Sequence, residues 1–120
     1  MQLDRIALEE ILLVTCCILE KHFYYDQACI SRFLNIFSDV LKFEINFFDL
    51  QAEPELRYKL KHDKQACFYF TIYFVSAHMR EILIDHLYFS ELELIAFDNL
   101  LPKYSEVNKN VKPCSQRAHY

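Results

Sequence analysis

A group of thiols and one imidazole near the N-terminus has the residue types that best suit metal chemistry. Its members are Cys16, Cys17, His22 and Cys29. A structural zinc site usually draws its ligands from Cys-x-x-Cys pairs or from spaced histidine pairs, and the sequence contains neither. Cys16 and Cys17 are adjacent, so a helix points them to different sides. We therefore predict no metal site and interpret these cysteines as small hydrophobes buried on helix faces.

Nucleophilic or acid–base catalysis needs a reactive side chain held beside a second, orienting group. The neighbours Asp85–His86 and His62–Asp63 are adjacent in sequence, so a helix places the two members of each pair on different faces. Nothing else in the sequence supports a catalytic pair locally. We therefore predict that the protein is not an enzyme and that it needs no cofactor.

Aromatic side chains make up 16% of the sequence, more than a small core usually needs. In one interpretation they only fill the core. In the other, some of them line a lipophilic cavity or an exposed interface. Tyr69 and Tyr73 suit an interface best, because tyrosine combines an apolar body with a polar tip. The full set of candidate residues for binding a ligand or a partner is Phe33, Phe37, Tyr69, Phe70, Tyr73 and Phe74.

The elements that must position these residues are constrained by the complete lack of glycine. Tight hairpin turns and many helix C-caps use the positive φ of glycine, so a many-stranded sandwich or barrel would be difficult to build. A glycine-rich phosphate loop, a dinucleotide fingerprint and a nucleophile elbow are excluded for the same reason. With 120 residues, 53% of them hydrophobic, the chain suits one folded domain and is too apolar for a disordered chain.

Charge and cysteine usage indicate the partners and the compartment. The net charge of −4 gives no positive field for gathering nucleic acid. Residues 103–120 form a polar, basic tail, which we predict to be either disordered or a marginal helix. Five cysteines without regular spacing, no signal-peptide pattern and apolar runs too short for a bilayer predict an intracellular location, nuclear or cytoplasmic, away from membranes.

Hydrophobic periodicity predicts the first three helices. The first spans about residues 4–22, and the second follows an N-cap at Asp26. Residues 49–53 are polar and suit a loop, and Pro54 suits the first turn of a third helix. That helix is predicted to continue along an apolar stripe formed by Leu56, Leu60, Cys67, Phe70 and Phe74.

Residues 67–75 are ambiguous, because their alternating large side chains also fit a strand. We favour a helix, since a lone strand has no obvious partner and no turn residues flank this segment.

The last helix is marked by Ser90 and Glu93, which have the spacing of a capping box. They predict a corner near residues 87–89 and a new helix from Ser90, and Pro102 predicts that this helix ends near Leu101. The predicted fold is therefore an all-α, compact bundle of four to five helices over residues 1–102.

A helical motif begins at the pair Asp26–Gln27 and continues through Ile30–Arg32 into an apolar helix that reaches residue 43. A second motif, in residues 79–101, begins with Met79–Glu81 and continues after a short gap as a leucine-rich helix with an acidic start.

The two motifs together resemble the ligand-binding domain of nuclear receptors, especially the divergent nematode members, over roughly a third of the chain. The family has an Asp-Gln pair, a Leu-Leu-Lys-like triplet and an apolar central helix. Ile30 matches the first leucine and Arg32 the lysine. Ser31 stands where a second leucine is usual, and Asn35 stands where tryptophan is common.

This resemblance implies a non-enzymatic binding domain, like a truncated nuclear-receptor ligand-binding domain, which binds a lipophilic ligand or a receptor partner in transcriptional regulation. The chain lacks the family's zinc-finger module and final activation helix, so we expect no direct binding of nucleic acid and no activation of transcription by the chain alone. The alternative is a helical adaptor, cellular or viral, that presents an apolar groove to a partner helix. A small enzyme using a cavity cysteine or histidine is a third, less favoured class.

Overall fold

The computed structural model describes residues 2–104, and over that range the chain forms five α-helices and no strand. They are α1 (Arg5–His22), α2 (Gln27–Gln51), α3 (Pro54–His62), α4 (Lys64–Asp85) and α5 (Glu91–Tyr104). The prediction of an all-α bundle of four to five helices is confirmed. Residues 67–75 lie within α4, so the choice of helix over strand is also confirmed. None of these five helices is both long and apolar enough to cross a bilayer.

Aspartate side chains start three of the helices, as their sequence positions suggest. Asp4, Asp26 and Asp63 each accept a hydrogen bond from the backbone amide three residues later, at the starts of α1, α2 and α4. The amide of Cys29 also holds the pKa of Asp26 below its ordinary value, because a hydrogen bond to the ionised carboxylate favours that form.

The predicted capping box before α5 is confirmed. The Glu93 amide donates to Ser90 Oγ at 3.2 Å, and the Ser90 amide donates to Glu93 Oε1 at 2.9 Å. Two amides that the helix itself leaves unpaired are therefore satisfied by side chains.

The predicted loop at residues 49–53 is wrong. Helix α2 continues to Gln51, so only Ala52 and Glu53 separate it from α3. Phe48 supplies the physical reason, because its ring packs at 5.0 Å from Phe70 and at 5.9 Å from Phe74, between ring centroids. These contacts with α4 extend α2 into a segment whose composition is locally polar.

The single third helix is also wrong. The chain breaks at Asp63 into α3 and α4, and the Asp63 side chain caps the second of these. The stripe assigned to one helix is therefore divided, with Leu56 and Leu60 on α3 and with Cys67, Phe70 and Phe74 on α4.

The last helix passes through Pro102 to Tyr104, whereas Pro102 was predicted to stop it near Leu101. A contact with α1 holds this final turn, since the Tyr104 hydroxyl lies 2.8 Å from His22 Nε2 and the two rings meet edge to face. The first two residues of the predicted tail, Lys103 and Tyr104, therefore belong to α5. Residues 105–120 lie outside the described part of the chain.

Helix α4 lies at the centre of the packing and contacts α1, α2 and α3, while α5 packs on α1. Arg80 of α4 also pairs with both carboxylate oxygens of Asp98 on α5, at 2.6 and 2.5 Å. The fully or almost fully buried apolar residues that form the core include Ile18, Leu19, Phe33, Phe37, Val75, Ile82, Leu83 and Phe97.

Two corners of the chain are built in the same way, with a left-handed tyrosine in place of a glycine. Tyr24 has φ of 60° and Tyr88 has φ of 57°. In each corner the following residue donates its amide to a carbonyl six positions earlier, Tyr25 to Leu19 at 3.0 Å and Phe89 to Leu83 at 2.9 Å. The next residue then caps α2 or α5, so the corner sets where each helix begins.

The strain at these corners can be tested with glycine. The left-handed conformation costs a non-glycine residue about 1–2 kcal/mol, and glycine costs roughly 0.5–1 kcal/mol of additional chain entropy. The Tyr88 side chain is 84% exposed, so its removal loses little packing. We expect Tyr88→Gly to raise the free energy of unfolding in urea by about 0.5 kcal/mol, the balance of these two effects. The matched control Tyr73→Gly, at a 76% exposed position inside α4, should lower it by roughly 0.5–1 kcal/mol. An equal loss of unfolding free energy in both variants would contradict the presence of strain at Tyr88.

Thr71 joins the start of the chain to α4. Its buried hydroxyl accepts a hydrogen bond from the Asp4 amide at 2.8 Å and donates one to the Cys67 carbonyl, also at 2.8 Å. Thr15 on α1 is equally buried, but within residues 2–104 its hydroxyl has no hydrogen-bond partner. The two threonines therefore have opposite energetic roles.

Threonine-to-valine exchanges should separate these roles, because valine has nearly the same shape without the hydroxyl. We expect Thr71→Val to lower the free energy of unfolding by about 1–3 kcal/mol, since it leaves the Asp4 amide without its acceptor. Thr15→Val should raise the free energy by about 1 kcal/mol by removing an unpaired buried hydroxyl. Urea denaturation followed by circular dichroism measures both, and a loss of stability in Thr15→Val would show that its hydroxyl is satisfied.

Candidate functional site

The six aromatic residues predicted to bind a ligand or partner occupy three different environments. Phe33, Phe37 and Phe74 are 0, 2 and 8% exposed and belong to the core. Phe70 is partly buried and packs between Phe48 and Phe74. None of the six lines either of the two clefts described below. For most of this set, the core-filling interpretation describes the observed positions.

Tyr69 and Tyr73 are the exception, with exposed fractions of 46 and 76%. They lie four residues apart on α4, so they share one helix face. The sequence singled them out as interface residues, and this remains a prediction.

The two environments can be compared by truncation. Phe33→Ala should lower the free energy of unfolding by about 3–5 kcal/mol, because it opens a cavity in the core. Tyr73→Ala should change it by less than about 0.5 kcal/mol, because the residue is on the surface. Urea denaturation of both variants checks this, and near-native stability of Phe33→Ala would return Phe33 to the list of binding residues.

The larger cleft, here called the α3 cleft, lies between the end of α2, the length of α3 and the start of α4. Its volume is about 1230 Å³, and it is open to solvent on one side. Residues preceding α1 form its remaining wall. The lining residues are Gln2, Leu3, Asp4, Asn46, Asp49, Leu50, Arg57, Leu60, Lys61, Lys64 and Cys67.

Hydrogen bonds fix the N-terminal wall of the α3 cleft. The bond from the Asp4 amide to Thr71 is partly buried, and the Cys67 thiol donates to the Gln2 carbonyl at 3.6 Å. The Asp4 carboxylate is already used as the cap of α1. The wall therefore depends on contacts between residues about 65 positions apart in the sequence.

The α3 cleft combines apolar side chains with an excess of positive charge. Leu3, Leu50 and Leu60 supply apolar surface, and Leu60 is buried. A row of three cations, Arg57, Lys61 and Lys64, faces two carboxylates, Asp4 and Asp49, so the lining carries a formal charge of +1. The sequence analysis missed these cations. The spacing of four residues between Arg57 and Lys61 is a signal that could have found two of them, whereas Lys64 joins them across the break at Asp63.

The cysteines predicted to be buried hydrophobes are all free in the described range, and all four are partly exposed. Burial raises the pKa of the Cys16 thiol, and the neighbouring Glu20 carboxylate and Cys17 raise it further. A thiol with a raised pKa carries little thiolate, which is the reactive form. Cys16 is therefore poorly suited to nucleophilic catalysis.

A second group of titratable side chains lies where α2 faces α4. His78 Nδ1 is 3.2 Å from Glu81 Oε2, and His78 Nε2 is 3.9 Å from Glu44 Oε2. The His78 side chain is only 16% exposed, and its ring packs edge to face on Phe74 at 4.5 Å between centroids. Within residues 2–104 these three, rather than the cysteines near His22, bring their donor atoms within 4.8 Å of one another.

An acidic cleft of about 330 Å³ adjoins this group. Among residues 2–104, four carboxylates and one basic side chain, His86, line this cleft. The lining residues are Asp39, Val40, Phe43, Glu44, Glu81, Ile82, Asp85 and His86.

An apolar face on the outer side of α2 is exposed between the two clefts. Phe43 is 67% exposed, Phe47 is 49% exposed and Leu50 is 86% exposed, and the two phenylalanine rings stack at 6.5 Å. Their spacing of four and then three residues places them on one side of the helix. This spacing suits contact with a partner helix.

Comparison of the chain with protein-family models, with curated proteins and with solved structures gives no significant match.

Proposed function

We propose that this chain is a non-enzymatic binding domain that resembles a truncated nuclear-receptor ligand-binding domain and acts in transcriptional regulation. The observation that carries the proposal is the α3 cleft, with leucine side chains beside a row of three cations. The proposed location is intracellular, nuclear or cytoplasmic, in keeping with the free thiols of the described cysteines.

The ligand class follows from the lining. A volume of about 1230 Å³ exceeds the roughly 300–1,000 Å³ typical of small-molecule sites, so a long ligand can be accommodated. Leu3, Leu50 and Leu60 provide apolar surface for its body. The exposed cations Arg57, Lys61 and Lys64 favour an anionic end, because hydrogen bonds between charged partners are stronger than those between neutral ones. The proposed ligand is therefore an amphipathic lipophile with one anionic group.

The residues that carry the resemblance to nuclear receptors have structural roles in this fold, which supports a receptor-like framework. Asp26 caps α2, and Arg80 ties α4 to Asp98 on α5. The corner before α2 and the corner before α5 also contact each other, because Phe23 and Phe89 pack at 4.8 Å between ring centroids. Both motifs thus supply contacts that set helix starts and helix pairing.

Binding of a fluorescent long-chain fatty acid to the purified chain, with oleate as competitor, tests the proposal. We expect saturable binding that weakens with added salt, and roughly tenfold weaker binding for Lys61→Glu and for Lys64→Glu, because each reverses a charge beside the anionic group. Lys42→Glu is the matched control, since Lys42 is exposed on α2 and does not line the cleft.

Failure of the wild-type chain to bind the probe would contradict the proposal of a lipophilic ligand. Equal weakening of binding by Lys42→Glu would show that only the overall charge of the chain matters. A neutral fluorescent lipid of the same chain length separates the contribution of the anionic group from that of the apolar body.

The second candidate function is a helical adaptor, and the exposed face of Phe43, Phe47 and Leu50 favours it. It predicts a complex with a protein partner, for which purified nuclear-receptor ligand-binding domains are the first to be tried. Phe43→Ser with Phe47→Ser should abolish that complex in analytical ultracentrifugation and leave fatty-acid binding unchanged. Ile6→Ser, at a 76% exposed position on α1, is the control for loss of an apolar surface residue.

A further inference from the structure

We propose that Glu44, His78 and Glu81 form a binding site for a divalent transition-metal ion, with Zn²⁺ as the favoured ion, which ties α2 to α4. The site is independent of ligand binding in the α3 cleft. It also departs from the sequence analysis, which considered only cysteines and His22 as metal ligands and predicted no site.

The helix geometry supplies the ligands from both sides of one interface. His78 and Glu81 are three residues apart on α4 and therefore neighbours on its surface, and Glu44 faces them from α2. Two-metal sites in helical bundles combine a Glu-x-x-His pair on one helix with a glutamate from a facing helix. Here the pair has the reverse order, His78-x-x-Glu81, and Glu44 supplies the facing carboxylate.

The observed side-chain positions have to change for an ion to bind, because Glu81 lies at Nδ1 of His78 whereas Glu44 lies at Nε2, and one of these carboxylates must rotate towards the other nitrogen. One donor atom from each residue lies within 4.8 Å of the other two. Bonds of about 2.0–2.2 Å to zinc in tetrahedral geometry separate neighbouring ligand atoms by roughly 3.3 Å. Glu81, whose side chain is 61% exposed, has the freedom to make most of this adjustment.

The donor set indicates the type of ion. One imidazole nitrogen with two carboxylate oxygens suits Zn²⁺ and its transition-metal neighbours, whereas Ca²⁺ and Mg²⁺ prefer oxygen ligands alone. Packing of the His78 ring against Phe74 restricts its orientation, which lowers the cost of ordering this ligand. Three protein ligands leave one tetrahedral position for water.

The surrounding charge also favours a cation. Asp39 and Asp85 line the adjoining acidic cleft together with Glu44 and Glu81, so four carboxylates lie around one small space. A bound divalent ion offsets their mutual repulsion. Without an ion, each ring nitrogen of His78 lies near one carboxylate. Contacts between the imidazole and these two carboxylates, with no ion bound, are therefore the competing explanation of the cluster.

Isothermal titration of the purified chain with Zn²⁺ distinguishes the two explanations. We expect one ion per chain, and binding weakened by at least roughly tenfold to a hundredfold in His78→Ala and in Glu44→Gln, because each removes a ligand. Glu81→Gln, at the most exposed of the three positions, is the variant least able to disturb folding. His62→Ala, on exposed α3, is the matched control and should bind as the wild type does.

Co²⁺ in place of Zn²⁺ identifies the ligand type, because thiolate ligands give an intense near-ultraviolet charge-transfer band that nitrogen and oxygen ligands lack. We expect visible cobalt absorption without that band. Absence of Zn²⁺ binding, unchanged affinity in His78→Ala and Glu44→Gln when both are folded by circular dichroism, or a strong thiolate band would each overturn the site. Fatty-acid binding in the same samples reports on the α3 cleft separately.

Discussion

A chain without glycine has no residue that adopts the left-handed conformation at little cost, and this constraint shapes two of the four corners between the described helices. Tyr24 and Tyr88 accept that conformation, and the amide that follows each of them closes a hydrogen bond six residues back. Asp26 and Ser90 come directly after the residues that donate these amides, and they cap α2 and α5. Each corner and the start of the helix that follows it are therefore fixed together. The strain at each tyrosine is offset by the bonds around it, since a left-handed residue persists only where its surroundings determine it. Packing of the two corners on each other then sets how α2 and α5 lie beside α1.

Helix α4 contributes side chains to the α3 cleft and to the group of Glu44, His78 and Glu81. Its first turns hold Lys64, Cys67 and Thr71, which line the α3 cleft or anchor its N-terminal wall. Its last turns hold His78 and Glu81, which face α2. The side of α4 between these groups is buried in the core, so the two sites are separated by packed side chains. Candidate sites at the two ends of a central helix suit binding, because packing in the core fixes the backbone of the side chains that would contact a bound ion or molecule. Less ordering is then needed on association.

Much of the fold could be predicted from local patterns, and the errors share one cause. The caps at Asp26 and Ser90 depend on side chains three residues from their partners, so the sequence shows them directly. The end of α2 depends on Phe48 meeting α4, and the end of α5 depends on Tyr104 meeting His22, which no local pattern reveals. The site was predicted less well for the same reason. Aromatic content indicates candidates for burial and for binding alike, and only the tertiary structure separates a core Phe33 from an exposed Tyr73.

The resemblance to nuclear receptors and the proposed ligand class rest on different parts of the chain. Within the two motifs, Asp26 and Ser90 cap helices, and Arg80 pairs α4 with α5. None of the residues lining the α3 cleft lies in residues 26–43 or 79–101. Caps and helix pairs place few demands on side chains elsewhere, so the residues that line a cleft can differ without changing them. The proposed ligand class therefore depends on the leucines and cations of the cleft itself, whose combination of apolar surface and positive charge fits an anionic amphipath.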